Sequence, residues 1–202
     1  MQEKLLEVEG LTIEFPTKNG PKTVVKNLNF QLEQGDKLGI VGESGSGKSM
    51  TALALMGLLP NLSRISNGQV RYKGKDLLTT PEAELRRIRG NEISMIFQEP
   101  MTSLKPVFNI GNQISEVLRL HRGLDEKQAI QKAVELLEAV RIPRAAERIS
   151  DYPHQLSGGQ RQRVMIAMAL ACEPSILIAD EPTTALDVTV QSEIFALLND
   201  LR

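Results

Sequence analysis

The chain has 202 residues, of which 41% are hydrophobic and 24% charged, a length and composition typical of a globular domain with a buried core. Its 24 basic and 25 acidic side chains give a net charge of -1, and aromatic residues make up 3%, which argues against a nucleic-acid partner. The single cysteine excludes an internal disulfide, and no apolar run is long enough to span a membrane.

Apolar and polar residues alternate in the N-terminal part of the chain. This pattern predicts amphipathic strands over residues 6–13 and 24–32, the second with Leu28, Phe30 and Leu32 on one face. The stretch GQVRYKGKDL, residues 68–77, predicts a third strand and a turn. We therefore expect an antiparallel β subdomain at the N-terminus.

Three short segments are apolar on both faces, which is typical of strands buried in a parallel sheet. Helical segments follow the first and the third of them, one expected to end at Pro60 and the other to be capped by Asp187. Strands that alternate with helices predict a mainly parallel α/β core. The three segments are LGIV (38–41), ISMIFQ (93–98) and SILIAD (175–180).

The middle of the chain has a helical pattern instead. Asp125 is a predicted N-cap with Gln128 three residues later, a capping-box pattern, and apolar residues follow at helical spacing up to Val140. We interpret residues 100–155 as a helical subdomain inserted into a core made of residues 1–99 and 156–202, all within one domain.

The segment GESGSGKS, called here the phosphate loop, lies between a predicted apolar strand and a helix, the context that a P-loop requires. Its glycines let the backbone approach phosphates, Lys48 supplies a positive charge to the β- and γ-phosphates, and the hydroxyl of Ser49 suits Mg²⁺. The predicted nucleotide-binding residues here are Gly42, Glu43, Ser44, Gly45, Ser46, Gly47, Lys48, Ser49 and Met50.

Two carboxylates, Asp180 and Glu181, follow the segment SILIA. Ligands of a parallel sheet gather at the carboxyl ends of its strands, so these acids are expected at the same edge as the phosphate loop. We assign Asp180 to the Mg²⁺ shell and Glu181 to the attacking water. Gln98, at the end of ISMIFQ, is a candidate for the metal or the water, although a Gln in this position also suits an ordinary strand end.

A second anion site is predicted at Ser157–Gln160, called here the signature turn. A Ser-Gly-Gly sequence that opens a long helix presents free backbone N–H groups, and the helix dipole favours negative charge there. One nucleotide does not need both this turn and the phosphate loop.

Together, LSGGQRQRVMIAMAL directly before ILIADEPTTALDV, with GESGSGKS and IFQEP upstream, closely resemble the nucleotide-binding subunits of ABC transporters. The resemblance covers residues 5–202 and implies a P-loop NTPase fold with a RecA-like core, ATP and Mg²⁺ as cofactors, and ATPase activity coupled to transport. The segments around IFQEPMTSLKP and DYPHQLSGGQ resemble the oligopeptide, dipeptide and nickel importer branch, although Lys105 stands where that branch usually has Asn. Phe15 then fits two interpretations, stacking on adenine or packing in the sheet.

The resemblance also accounts for the second anion site. Two such subunits, identical or paralogous, are expected to pair head to tail, so that Ser157, Gly158, Gly159 and Gln160 of one copy bind the nucleotide held by Lys48 of the other. Asp187 would lie at this interface. Residues around Gln98 and from Met101 to Leu104 would contact a membrane permease at the cytoplasmic face of the cell membrane, with no direct contact to the solute.

The family also has a switch histidine after the helix that follows the carboxylates. Both histidines of this chain, His121 and His154, precede Asp180. We therefore expect a piece of a longer protein that lacks a C-terminal strand and hydrolyses ATP poorly by itself. Two alternatives to an importer motor remain: a soluble ABC-type ATPase without a transport role, and a regulatory nucleotide-binding module without turnover.

Overall fold

The computed structural model describes residues 4–98, 103–182 and 188–200, with side chains up to residue 197 in the last range. The chain divides into two units, Met1–Arg86 and Arg87–Arg202. The predicted helical subdomain over residues 100–155 lies within the second unit, and its separation from the core stays a prediction.

The first unit contains a four-stranded antiparallel sheet in the order β2-β1-β3-β4. Its strands are β1 (Lys4–Thr17), β2 (Gly20–Glu33), β3 (Arg64–Tyr72) and β4 (Lys75–Asp76). The predicted antiparallel subdomain is therefore confirmed.

The buried face of β1 explains an irregularity in its sequence pattern. Leu6 and Val8 are buried, and the next buried pair is Leu11 and Ile13, so the alternation skips one residue. A register shift between Val8 and Leu11 absorbs the extra residue, and Gly10 there has φ +62°. The bulge returns the apolar residues to one face of the sheet.

Helix α1 (Lys48–Leu55) follows the phosphate loop, but it ends earlier than predicted. Gly57 has φ +61°, its N–H donates to Ala54 O (3.0 Å), and the N–H of Leu58 donates to Leu53 O (2.8 Å). These bonds form a Schellman motif, so glycine ends the helix before Pro60 is reached.

The strand predicted over residues 38–41 is wrong for this structure. The segment has no regular secondary structure, and Val41 is 97% exposed. A strand needs a neighbour for its backbone hydrogen bonds, and none of the strands in the described part of the chain pairs with this segment.

The second unit contains the parallel pair β5 (Ile93–Ile96) and β6 (Ile176–Ala179), with Ile93 opposite Ile176 and Ile96 opposite Ala179. All of β5 is buried, as predicted. In β6 only Ile176 is buried, so the prediction of a fully buried strand at residues 175–180 is wrong.

The remaining regular structure in the described part of the chain is helical. The helices are α2 (Glu82–Ile88) at the boundary of the units, α3 (Ile110–Arg122), α4 (Glu126–Ala139), α5 (Ala145–Arg148), the 3-10 turn Pro153–Gln155, α6 (Gly158–Leu170) and α7 (Val188–Asp200). Asp125 and Gln128 form the predicted capping box of α4. The hydrophobic core lies between α3, α4, α6 and α7, where Ile114, Leu137 and Ile194 are fully buried. Among the described residues, no helix has both the length and the apolar character needed to cross a membrane.

Candidate functional site

The phosphate loop folds tightly at the N-terminus of α1. The N–H of Ser46 donates to Glu43 O (3.1 Å), and Gly45 and Gly47 have φ +81° and +94°. Glycine adopts this left-handed region without steric cost, whereas other residues do not. The loop before Gly47 is exposed, so its backbone is open to a ligand.

The side chain of Lys48 turns back over this loop. Its Nζ donates to the carbonyl oxygens of Gly42 (2.8 Å) and Glu43 (3.2 Å). The positive charge is thus held at the loop, beside the first turn of α1, where helix amides lack intrahelical partners. A cation at a helix N-terminus is suited to phosphate binding. Ser49 and Met50 lie in the same turn and are half-buried.

Gly47 is also the point where the loop meets the antiparallel sheet. A Cβ at this position would lie 2.7 Å from Val24 O and 2.7 Å from Val25 Cγ2. Such contacts are too short for a carbon atom, and the carbonyl belongs to the backbone of β2. The close approach of α1 to β2 is therefore possible only because residue 47 has no side chain.

In the second unit, the carboxylates follow β6 as predicted. The N–H of Asp180 donates to Ile96 O (3.0 Å), which extends the pairing of β5 and β6 by one residue. Gln98 Nε2 then donates to Glu181 Oε2 at 3.1 Å. The parallel register thus joins Gln98 to Glu181. Glu181 has φ +47°, a conformation that is uncommon for a residue with a side chain and is found more often at functional sites.

The signature turn begins α6 with a capping box. The N–H of Gln160 donates to Ser157 Oγ (3.2 Å), and the N–H of Ser157 donates to Gln160 Oε1 (3.0 Å). The amides of Gly158 and Gly159 come first in the helix and have no intrahelical acceptor. These two N–H groups and the hydroxyl proton of Ser157 are the donors available to an anion.

The sequence analysis predicted an anion site at the signature turn but missed this capping box, although the S-x-x-Q pattern indicates one. It also gave no role to Arg163, which is 9% exposed. A basic residue early in a helix usually indicates a solvated surface, so the sequence carried no signal for its burial.

The other predicted residues have different outcomes. Phe15 is half-buried in β1 opposite Lys22, and neither of its two interpretations is tested. Asp187 lies outside the described residues, as do Met101 and Thr102. Leu104, expected at the permease surface, is 2% exposed and packs in the hydrophobic core instead.

The predicted metal ligands are all oxygen donors: the hydroxyl of Ser49, the amide oxygen of Gln98 and the carboxylate of Asp180. This donor chemistry fits Mg²⁺, which prefers hard oxygen ligands and keeps several waters. Within the described part of the chain, no cluster of three or more His, Cys, Asp or Glu residues is arranged to hold a metal.

The chain matches a protein family and several known proteins. The family model described as ABC transporter matches residues 25–184. The oligopeptide transport ATP-binding protein OppD of Salmonella typhimurium is 56% identical over 198 residues, which are 98% of this chain and 59% of that protein. The dipeptide transport ATP-binding protein DppD of Lactococcus lactis is 52% identical over 202 residues, 100% of this chain and 58% of that protein. The chain thus spans less than two thirds of these relatives.

A solved structure has the same fold. The dimeric ATP-binding cassette MJ0796 in a post-hydrolysis state, bound to ADP and Pi, superposes with a TM-score of 0.85 at 30% identity. The match covers 97% of this chain and 82% of that one. This similarity supports the P-loop NTPase fold expected from the sequence.

Proposed function

This chain belongs to the ABC transporter family, and we propose that it is the ATP-binding and ATP-hydrolysing part of an importer for dipeptides or oligopeptides. The importer branch and the solute class are supported by the relatives, which carry the names of oligopeptide and dipeptide transport ATP-binding proteins.

The observation that carries the proposal is the hydrogen bond from Gln98 to Glu181 at the carboxyl ends of β5 and β6. A carboxylate held by an amide donor has a fixed orientation, which a base that aligns a water molecule needs. In the proposed mechanism Lys48 and the loop amides bind the β- and γ-phosphates, and Glu181 orients and polarises the attacking water. Gln98 keeps the carboxylate in position.

Ser49, Asp180 and Gln98 are the residues proposed to hold Mg²⁺. The ion, when bound, neutralises charge on the phosphate oxygens and so favours phosphoryl transfer to water. This chain would supply two neutral oxygen donors, from Ser49 and Gln98, and one carboxylate, from Asp180. So few protein ligands leave room for water and phosphate oxygens in the coordination shell.

The signature turn is proposed to bind the nucleotide of a second copy or of a paralogue, in a head-to-tail pair. Its donors, the Gly158 and Gly159 amides and the Ser157 hydroxyl, suit the γ-phosphate, and Asp187 is proposed to lie at the interface between the copies. Two solved structures of the cassette MJ0796, which is similar to this chain, are described as dimeric, which supports the pairing.

A permease and a membrane location are further parts of the proposal. Leu104 is buried, but among the described residues near this segment the apolar side chains of Val107 and Phe108 are 74% and 49% exposed. They lie just after the segment expected to meet the permease. We propose that the chain acts at the cytoplasmic face of the membrane by binding permease subunits.

Nucleotide binding tests the first step. We expect the wild-type chain to bind Mg·ATP in titration calorimetry, and Lys48→Ala to bind about 10- to 100-fold more weakly, since charge-assisted hydrogen bonds to phosphate are lost. Lys132→Ala, which removes an exposed lysine from α4, is the matched control and should bind like wild type. Equal ATP affinity of Lys48→Ala and wild type would show that Lys48 does not bind the phosphates of ATP.

Turnover tests the second step. Glu181→Gln should keep ATP affinity and lower the hydrolysis rate about 100-fold or more, because the general base is lost. Glu147→Gln, an exposed glutamate of α5, is the control for the loss of one negative charge. A hydrolysis rate of Glu181→Gln equal to that of wild type would show that Glu181 is not the general base.

A further inference from the structure

Arg163 is a buried cation that the proposed mechanism does not use. It lies on α6, three residues after the signature turn, and is 9% exposed. Its Nη1 donates to Val140 O at 3.1 Å, and its Nη2 donates to the carboxylate of Glu193. A buried charge is costly unless it is paired and hydrogen-bonded, so both contacts are needed to keep the guanidinium there.

The two partners of Arg163 belong to two different helices. Val140 is the C-cap residue of α4, where carbonyl oxygens lack intrahelical donors and the helix dipole favours a positive charge. Glu193 lies on α7, and its side chain is 51% exposed. The planar fork of a guanidinium reaches both acceptors at once, whereas the ammonium of lysine lacks this geometry.

A second contact joins α6 and α7, one helical turn away from the Arg163–Glu193 pair. A Cβ on Gly159 would lie 3.0 Å from Val190 Cγ1, so the first turn of α6 approaches the first turn of α7 closely. Gly159 and Arg163 are four residues apart on α6, and Val190 and Glu193 are three apart on α7. These spacings place each pair on one face of its helix. Two contacts at this spacing fix the register of α6 against α7.

We propose that Arg163 is a positioning residue that holds the signature turn in place through α7. Helix α7 begins seven residues after Glu181, and the helix clamped to it starts with Ser157 as its N-cap. Arg163 thereby connects the signature turn, which is proposed to bind the second copy's nucleotide, to α7, the helix that follows Glu181 in the same copy. This inference rests on the proposed head-to-tail pairing around ATP.

The pairing experiment uses the Glu181→Gln background, in which bound ATP persists, and measures the ATP-dependent dimer by sedimentation. We expect Arg163→Met to weaken pairing about tenfold, the effect of one lost charge-assisted hydrogen bond, and to leave Mg·ATP affinity within about twofold of the parent. Arg163→Lys should not restore pairing. Undiminished pairing in Arg163→Met would overturn the proposal, and so would an equal loss of ATP affinity, which indicates general unfolding.

Glu193→Gln provides a variant that should fold, because residue 193 is half exposed. It keeps an acceptor for Arg163 and removes the charge, so pairing should weaken less than in Arg163→Met. Glu147→Gln makes the same substitution at an exposed ion pair of α5 and should pair normally. If Glu193→Gln weakens pairing no more than Glu147→Gln does, the Arg163–Glu193 contact does not position the turn.

Hydrogen exchange separates this inference from the proposed function. In Arg163→Met, backbone amides early in α6 and in α7 should exchange about tenfold faster than in wild type, and those of the antiparallel sheet should not change. If the parent chain forms no dimer in the presence of ATP, the proposed function fails, and hydrogen exchange alone then tests the positioning role of Arg163. Unchanged exchange in both helices would then refute its positioning role.

Discussion

Replacing Gly47 with alanine should destabilise the first unit and weaken nucleotide binding together. The backbone at Gly47 has φ +94°, which costs an L-residue about 1–2 kcal/mol. The new Cβ would also lie 2.7 Å from Val24 O and from Val25 Cγ2, and such overpacking typically costs about 1–3 kcal/mol. The combined loss is about 2–5 kcal/mol, because the carbonyl of β2 cannot move without disturbing the sheet.

Gly45→Ala is the control, since it shares one of these costs and not the other. Gly45 has φ +81°, but no atom lies within 4 Å of the added Cβ. Its expected loss is therefore the backbone cost alone, about 1–2 kcal/mol. Urea unfolding measures both variants, and calorimetry with Mg·ATP measures binding. Equal free energies of unfolding for the two variants would refute the idea that Gly47 permits contact between α1 and β2.

Three further predictions concern the second unit. Ser157→Asp should keep the helix cap but abolish ATP-dependent pairing by charge repulsion, whereas Ser157→Ala should cost about 1 kcal/mol of stability; pairing by the Asp variant would contradict this. Gly159→Ala should weaken pairing, and adding Val190→Ala to it should restore pairing, which sedimentation can measure. A double variant that pairs as weakly as Gly159→Ala would show that the contact with Val190 does not limit pairing. Burial, and then the neighbouring Arg122, lowers the pKa of His121 from 6.5. The unfolded chain therefore takes up this proton first, and the free energy of unfolding should fall as the pH drops below 6.5. His121→Gln should make this fall smaller, which urea unfolding at about pH 7.5 and about pH 5.5 measures.

Much of the local structure was predictable because it depends on neighbours in sequence. The capping box at Asp125 and Gln128 is specified within four residues, and it formed as expected. The alternation in β1 predicted its buried face, and Gly10 marks the bulge that keeps the face continuous. Each of these features needs only local backbone geometry and side-chain polarity.

The errors arose where structure depends on distant partners. Residues 38–41 have the composition of a buried strand, but pairing is non-local, and the pattern does not specify which strand lies beside them. The burial of Arg163 likewise depends on Val140 and Glu193, which no spacing rule connects to it. By contrast, the contact between Gln98 and Glu181 was predictable, because the carboxyl ends of parallel strands meet at one edge.

The composition of the signature turn suits two roles at once, capping α6 and the proposed binding of a phosphate. Ser157 Oγ accepts the N–H of Gln160 and so caps the helix, yet its hydroxyl proton stays available for a phosphate oxygen. Aspartate would cap equally well but would offer no proton and would repel the anion. Gly159 adds an amide donor and allows the close contact with Val190. Phosphate binding therefore need not break the cap, and a turn already held rigid loses little conformational entropy when it binds.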